Sequence, residues 1–455
     1  MSLYTLLISS LVFPLHERIK NHSSVAVRKD MELSQWWDTE HLEALQLFKL
    51  QRLLTHVQTH VPYYRDLFTS IGFKAADMHS LEDLACLPLL DKPKIRANTE
   101  ALKSANSRNL ARFNTGGSSG EPLIFYIGKE RISHDVAAKW RATRWWDVDI
   151  GDPEVVIWGS PIELGAQDGL RALRDKLLRT RLLPAFEMSA QKLDQFLHEI
   201  RAIRPKMLFG YPSALSHIAR HAEACGRRMD DLGIRVAFVT SERLYDEQRQ
   251  QISRIFGCPV ANGYGGRDAG FIAHECPQGG MHITAEDIIV EIVDQQGAPL
   301  PHGEAGEITI THLATGDFPF IRYRTGDIGV LDSKLCICGR GLPLLKEIQG
   351  RSTDFLVAQN GTVIHGLALI YILRDLPQVR NFKIIQEDLN LTRVWVVLDE
   401  RLEVGLTSKV KGGFKARLGQ GVEIVVEEVN EIPLEKSGKF RYVVSKVGLG
   451  SVNNL

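Results

Sequence analysis

The chain has little cysteine, no excess of charge of either sign and no apolar run long enough to cross a bilayer. Six cysteines in 455 residues are too few for a secreted disulfide framework, which points to a reducing compartment and a cytoplasmic location. Lys+Arg and Asp+Glu both number 55, so the formal net charge is +0 and no global basic field exists to hold nucleic acid. Leu3 to Leu15 is mostly apolar but too short to span a membrane. No basic residue precedes it, and a convincing small-residue cleavage site is lacking. It reads as an initial helix docked on the body; the alternative is contact with a membrane surface, aided by Arg18, Lys20, Arg28 and Lys29. Internal repeats and low-complexity linkers are also missing.

What is present is a chain 44% hydrophobic and 24% charged, enough for a large core and two or more domains. Residues 41–60 have leucines near helical spacing. From 191 to 263, helical patterns (Gln191 to Ile203, Ser213 to Ala224, Tyr245 to Phe256) alternate with short apolar runs at 206–209, 234–240 and 259–263. That alternation predicts an α/β architecture with buried strands. After about residue 281 the pattern changes to alternating strands, Ile288 to Val293 and Glu307 to His312, joined through Gln295-Gln296-Gly297, and predicts an antiparallel β subdomain. Beyond Gly350 a compact α+β unit is expected: a hairpin around Asn360-Gly361, helices near 366–376 and 406–418, and strands at 381–386, 393–398 and 422–428. The expected domains are therefore 1–350 and 351–455.

Two distant stretches point to chemistry. Phe113-Asn114-Thr115-Gly116-Gly117-Ser118-Ser119-Gly120-Glu121-Pro122 offers glycines and hydroxyls able to close around phosphate oxygens. No Lys-Ser or Lys-Thr follows its last glycine, so it is not the P-loop of an NTPase, and the apolar run Leu123 to Ile127 continues it into a strand rather than a helix. A plain glycine-serine hairpin turn is the alternative. Tyr323-Arg324-Thr325-Gly326-Asp327 places an Asp in a tight turn where it can accept hydrogen bonds from a sugar diol. A third set, Cys276, His282, Cys336 and Cys338, offers three thiolates and an imidazole for a closed tetrahedral Zn²⁺ site, with His274 as a competing nitrogen ligand. Five residues separate Cys276 from His282, and one separates Cys336 from Cys338. The alternative is a pair of buried free thiols beside two unrelated residues.

With Val61-Pro62-Tyr63-Tyr64-Arg65, Phe209-Gly210-Tyr211-Pro212-Ser213, Ser241-Glu242-Arg243-Leu244, Tyr264-Gly265, Phe320 to Asp327, Cys338-Gly339-Arg340, Gln349-Gly350-Arg351 and Ser437-Gly438-Lys439-Phe440-Arg441, the chain resembles the adenylate-forming superfamily of acyl-CoA synthetases. Within it the resemblance is to the phenylacetate–coenzyme A ligase group and its CapK-like branch, over nearly the whole length. It implies a large N-terminal adenylation domain of α/β layers plus the β subdomain, and a small C-terminal lid that rotates between two half-reactions. ATP with Mg²⁺ would activate a small carboxylic acid as an acyl-adenylate, and a thiol, commonly that of coenzyme A, would then take the acyl group.

The same resemblance implies roles. Thr115, Gly116, Gly117, Ser118, Ser119 and Gly120 would hold the β- and γ-phosphates, and Ser241, Glu242, Tyr264 and Gly265 would lie at adenine. Asp327 would take the ribose hydroxyls, Arg351 would contact ribose or phosphate, and Lys439 would bridge the carboxylate and the α-phosphate. Asp268 would help hold Mg²⁺, although the family commonly has a Glu there. Thr353 stands where the family often has a hinge Asp. Similar cysteines pin the β subdomain of related ligases. Trp140, Trp145, Trp146, Phe209 and Tyr211 either line the acid pocket or belong to the core, and Ser241-Glu242 read without the resemblance is a helix cap. Transfer to an amine, hydroxyl or carrier protein, or binding without turnover, are the alternative functions.

Overall fold

The computed structural model describes residues 2–114, 123–158, 169–185, 188, 190–351, 355–360, 362–398, 404–433 and 441–447. They form two units: the first takes the chain to Thr325 together with Gly329–Ile348, and the second is built mainly from residue 349 onward.

The first unit is organised around a seven-stranded sheet. Its order is Thr180–Pro184, Glu154–Trp158, Met207–Gly210, Val236–Thr240, Val260–Gly266, Gly270–Glu275 and Met281–Ile283. The first five strands are parallel to their neighbours, and the last two join antiparallel. Every residue of Val236–Thr240 is buried, as expected of a parallel strand covered on both faces. Leu208, Ala237 and Val239 meet helices Ala190–Ile203, Pro212–Ala224 and Asp246–Phe256 on one side. Met207, Phe209, Val236 and Phe238 pack with Ala142 and Val148 on the other. This period-two division of one apolar run is what makes the layered α/β core.

A second, four-stranded sheet follows in the order Ile288–Val293, Ala305–His312, Tyr323–Leu331, Leu345–Arg351. Ile288 pairs with His312 and Val293 with Glu307, the antiparallel register that alternation predicts. Between them, Asp294 N–H donates to Ala298 O, so Gln295-Gln296-Gly297 forms the tip of a smaller turn inside the connection. The long helix Thr39–His60 packs its leucines against this region, and Asp38 caps it by accepting from His41 N–H at 2.9 Å.

The second unit has a four-stranded sheet in the order Glu423–Glu428, Leu391–Leu398, Val379–Gln386, Val443–Ser445. Its outer pairings are parallel and its central one antiparallel. Helices Leu367–Arg374 and Val404–Leu418 and the hairpin Phe355–Val357 with Val363–His365 complete an α+β fold.

Candidate active site

Parallel strands deliver their following loops to one edge of a sheet, where open α/β folds hold ligands. Here the register aligns four strand ends. Ile157 pairs with Gly210, Gly210 with Val239, and Thr240 with Gly263. Trp158, Tyr211, Ser241 and Tyr264 therefore follow these paired ends side by side, Tyr264 remaining paired with Ala273. Trp158 stacks on Tyr211 with ring centroids 4.4 Å apart. No sequence motif marks Trp158; its signal was only its place at the end of an apolar run.

Ser241 has φ 72°, a left-handed conformation unusual for a residue with a Cβ. The turn aims Glu242 back across the edge, where its Oε2 accepts from Ser213 N–H at 3.2 Å. The carboxylate thus sits at the start of helix Pro212–Ala224, where peptide N–H groups favour negative charge. Ser241-Glu242 is not the cap of the next helix: that helix starts at Asp246, and Tyr245 is its capping residue. Beside them the ladder is bulged between Tyr264 and Gly265. A Cβ on Gly265 would lie 2.1 Å from Gly270 O and 3.1 Å from Ile272 N, both backbone atoms that cannot swing away. Gly265→Ala should therefore cost about 1–3 kcal/mol as an overpacked substitution, read as a lower urea midpoint.

Asp268 follows in the turn to strand Gly270–Glu275, and its Oδ2 accepts from the Tyr323 hydroxyl at 2.6 Å. Tyr323 opens the strand that carries Asp327, so one hydrogen bond ties the two expected nucleotide-contacting segments together. Asp327 lies within Tyr323–Leu331, and Arg351 ends Leu345–Arg351. Thr115, Gly116, Gly117, Ser118, Ser119, Gly120, Thr353 and Lys439 lie outside the described residues.

Three tryptophans considered for the acid pocket each have their indole N–H engaged. Trp140 Nε1 donates to Asp149 Oδ1, Trp145 Nε1 to Gln35 Oε1, and Trp146 Nε1 to Glu275 O. The Phe209 ring faces the Lys139 ammonium at 3.9 Å.

The cysteine set converges. The ligand atoms of Cys276, His282, Cys336 and Cys338 lie within 4.8 Å of one another. Cys276 Sγ is 3.7 Å from Cys336 Sγ, and Cys338 Sγ is 3.2 Å from His282 Nε2. His282 Nδ1 faces Leu342 O at 3.4 Å, which leaves Nε2 turned toward the Cys338 sulfur. Burial lowers the His282 pKa to about 4, keeping the ring neutral as a ligand must be. Burial also pushes the Cys276 thiol up, a cost that a cation would reverse. The centre has no room for a side chain at Gly280, whose added Cβ would meet Cys336 Sγ at 2.6 Å and His282 Nε2 at 3.3 Å. His274 is not part of it: it pairs across strands with His282 but stacks on Phe271 with centroids 5.4 Å apart.

The chain is similar to known proteins over most of its length. Residues 180–315 match the family described as AMP-binding enzyme, and residues 356–446 match the CapK C-terminal domain. Protein CapK of Staphylococcus aureus is 23% identical over 420 residues, covering 91% of this chain and 92% of that protein. The phenylacetate-coenzyme A ligase of Thermus thermophilus is 26% identical over 355 residues, covering 75% and 77%. A crystal structure of 2-hydroxyisobutyryl-CoA ligase in the postadenylation state superposes with a TM-score of 0.72 at 20% identity, covering 92% of each chain. Over residues 180–315 the chain is similar to AMP-binding enzymes, and over three quarters of its length to a phenylacetate-coenzyme A ligase. It is thus phenylacetate–CoA ligase-like and CapK-like.

Proposed function

We propose that this protein is an ATP-dependent ligase that joins a small carboxylic acid to the thiol of coenzyme A. In the first half-reaction a carboxylate oxygen bonds to the α-phosphorus of ATP as the bond to the pyrophosphate leaving group breaks. In the second the thiolate forms a C–S bond at the acyl carbon, AMP leaves with the C–O electron pair, and the thiol proton passes to solvent. The observation that carries this reading is the carboxyl edge of the sheet. There Glu242 reaches Ser213 N–H beside a left-handed Ser241 and the Tyr264-Gly265 bulge, inside the segment that matches AMP-binding enzymes.

On this reading Ser241, Glu242, Tyr264 and Gly265 contact adenine, Asp327 takes the ribose hydroxyls, and Arg351 contacts ribose or phosphate. The run Thr115 to Gly120 supplies donors to the β- and γ-phosphates, where loss of one such donor costs about 10²–10³ in rate. Asp268 helps hold Mg²⁺ through hard oxygen ligation, in a position that the Tyr323 hydroxyl limits. Lys439 bridges carboxylate and α-phosphate with a compact ammonium on a flexible stem.

Release of pyrophosphate that depends on added acid, scanned over a panel of aryl and alkyl acids, tests the first half. Appearance of a thioester by mass when coenzyme A is added tests the second; an acyl-adenylate that persists with coenzyme A present points instead to an amine, hydroxyl or carrier acceptor. Lys439→Ala should abolish acid-dependent pyrophosphate release, at least about a thousandfold, while ATP still binds. Undiminished release would remove Lys439 from the mechanism.

We further propose that Cys276, His282, Cys336 and Cys338 hold a structural Zn²⁺. Four protein ligands fill a tetrahedral ion, so the metal would brace the fold and take no part in the reaction.

A further inference from the structure

The first helical segment is built with its apolar side facing out. It runs without a break as Leu3–Leu7, a π-helical turn Ile8–Val12, and Phe13–Ile19. One ladder of every fourth residue, Thr5, Ser9, Phe13 and Glu17, is buried. It is mostly polar and specifically anchored. Thr5 Oγ1 donates to Asp152 Oδ1 at 2.7 Å, Ser24 Oγ donates to Glu17, and Phe13 meets the Trp140 ring edge-on at 5.2 Å. The opposite ladder is Leu3, Leu7, Leu11, Leu15 and Ile19, exposed by 87, 50, 61, 57 and 73%, with Leu6 beside it at 51%. A strict four-residue repeat drifts around an α-helix of 3.6 residues per turn; the wider π turn at Ile8–Val12 reduces that drift and keeps the five side chains on one side.

Soluble surfaces seldom carry a contiguous apolar stripe of this kind without a partner. The stripe continues onto helix Gly169–Leu177, whose Leu173 and Leu177 are exposed. The two elements are fastened there: Tyr4 Oη donates to Leu177 O at 2.8 Å, and the Arg179 guanidinium lies 4.2 Å from the Tyr4 ring. The rim carries cations at both ends. Arg18 and Lys20 flank Ile19 in the chain; at the other end Arg179 lies over the Tyr4 ring, Lys176 precedes Leu177, and the neighbouring Asp175 is paired with Arg174. Glu17, the only acid between Ser2 and Lys29, is buried and bound to Ser24. Arg28 does not belong to this rim: it is buried over Trp140 and paired with Glu32.

We propose that this face is a peripheral docking surface for a bilayer bearing anionic headgroups. The helix would lie in the interface plane with the leucine stripe among the acyl chains and the rim cations among the phosphates. No helix among the described residues is long and apolar enough to cross a membrane, so the contact is one of lying on the surface. A second copy fits less well as the occupant. With cations at both ends of the stripe, parallel or antiparallel pairing sets like charges against each other.

The test is sedimentation of the full chain with phosphatidylcholine vesicles, with and without about one quarter phosphatidylglycerol. The wild type should pellet with the anionic vesicles and release them several-fold as salt rises to about 0.5 M, where screening is strong. Leu7→Glu/Leu11→Glu/Leu15→Glu should lower the bound fraction about tenfold while far-UV circular dichroism and vesicle-free pyrophosphate release stay unchanged. Lys20→Glu/Lys176→Glu should lose only the preference for anionic vesicles. The proposal is overturned if the wild type stays in the supernatant, if the triple variant pellets equally, or if sedimentation velocity shows a dimer that the triple variant converts to monomer.

Discussion

Arg322→Ala should cost the folded protein about 3–5 kcal/mol, the usual penalty for stranding the partner of a buried ion pair. Arg322 is 2% exposed, with φ 49°, and every donor of its guanidinium is used. Nε and one terminal nitrogen grip Glu291 at 3.1 and 2.8 Å. The same terminal nitrogen donates to Gly297 O, and the other donates to Ala85 O and Leu87 O. One side chain therefore joins the loop before Leu90, the strand Ile288–Val293 and the turn at Gly297. Its backbone also carries the segment that leads to Asp327: Leu90 N–H donates to Arg322 O, and Arg324 N–H donates to Leu90 O. Lysine should not rescue it, because three donors on a point charge cannot reproduce a planar fork with five.

The pH response distinguishes this cause from a simple cavity. Burial pushes the Glu291 carboxyl up even while the Arg322 guanidinium pulls it down. In the variant only burial remains, so the folded-state pKa rises further above the unfolded value. A group of that kind contributes stability that is full below its unfolded pKa and lost as pH rises through the folded one. The deficit of Arg322→Ala relative to wild type, measured as the urea midpoint, should therefore shrink between about pH 7.5 and pH 5. A deficit independent of pH, or one below about 1 kcal/mol, would show that Glu291 finds another partner.

Much of the architecture was legible because it rests on local periodicity. Helices expected at Gln191 to Ile203 and Tyr245 to Phe256 form at Ala190–Ile203 and Asp246–Phe256, and the run expected at 234–240 forms Val236–Thr240. Each error is of one or two residues at an end, where apolar spacing stops carrying information. The candidate site was legible as a set of loops but not as an arrangement. Glu242 meets Ser213 across 29 residues of sequence, and Tyr323 meets Asp268 across 55. Such pairs are set by strand order and register, which no local pattern states. The tryptophans near 140–146 show the same limit: helical spacing permits either a pocket lining or a core, and it does not foretell the hydrogen bonds to Asp149, Gln35 and Glu275 O. The apolar run at Leu3 to Leu15 was visible, yet which side it presents depends on Thr5 finding Asp152 and on a π turn that composition does not announce.

Purified protein should contain about one zinc per chain, and removing it should destabilise the first unit more than losing a single core side chain. The centre ties together elements that Ile283 N–H also joins by donating to Pro343 O at 2.8 Å. Cys276 and His282 flank the turn between Gly270–Glu275 and Met281–Ile283. Cys336 and Cys338 lie on a loop whose Gly341 N–H donates to Gln35 O, and whose Arg340 sits 5.0 Å from the Trp36 ring and 4.5 Å from the Trp145 ring. Without a cation, three sulfurs and an imidazole crowd one another where Gly280 leaves no space for rearrangement. Structural zinc binds small cysteine-rich folds with about 10–16 kcal/mol, so even partial coupling to this region makes its loss large. Cys338→Ser and His282→Ala should each lose the metal and open the 335–342 loop to protease. Cys258→Ser, at a buried thiol elsewhere in the unit, should keep both metal and protection. Acid should act as a chelator does, because the thiolates take up protons as the ion leaves. Protein that is fully folded, zinc-free and unaffected by Cys338→Ser would reduce the cluster to three free thiols beside a neutral histidine.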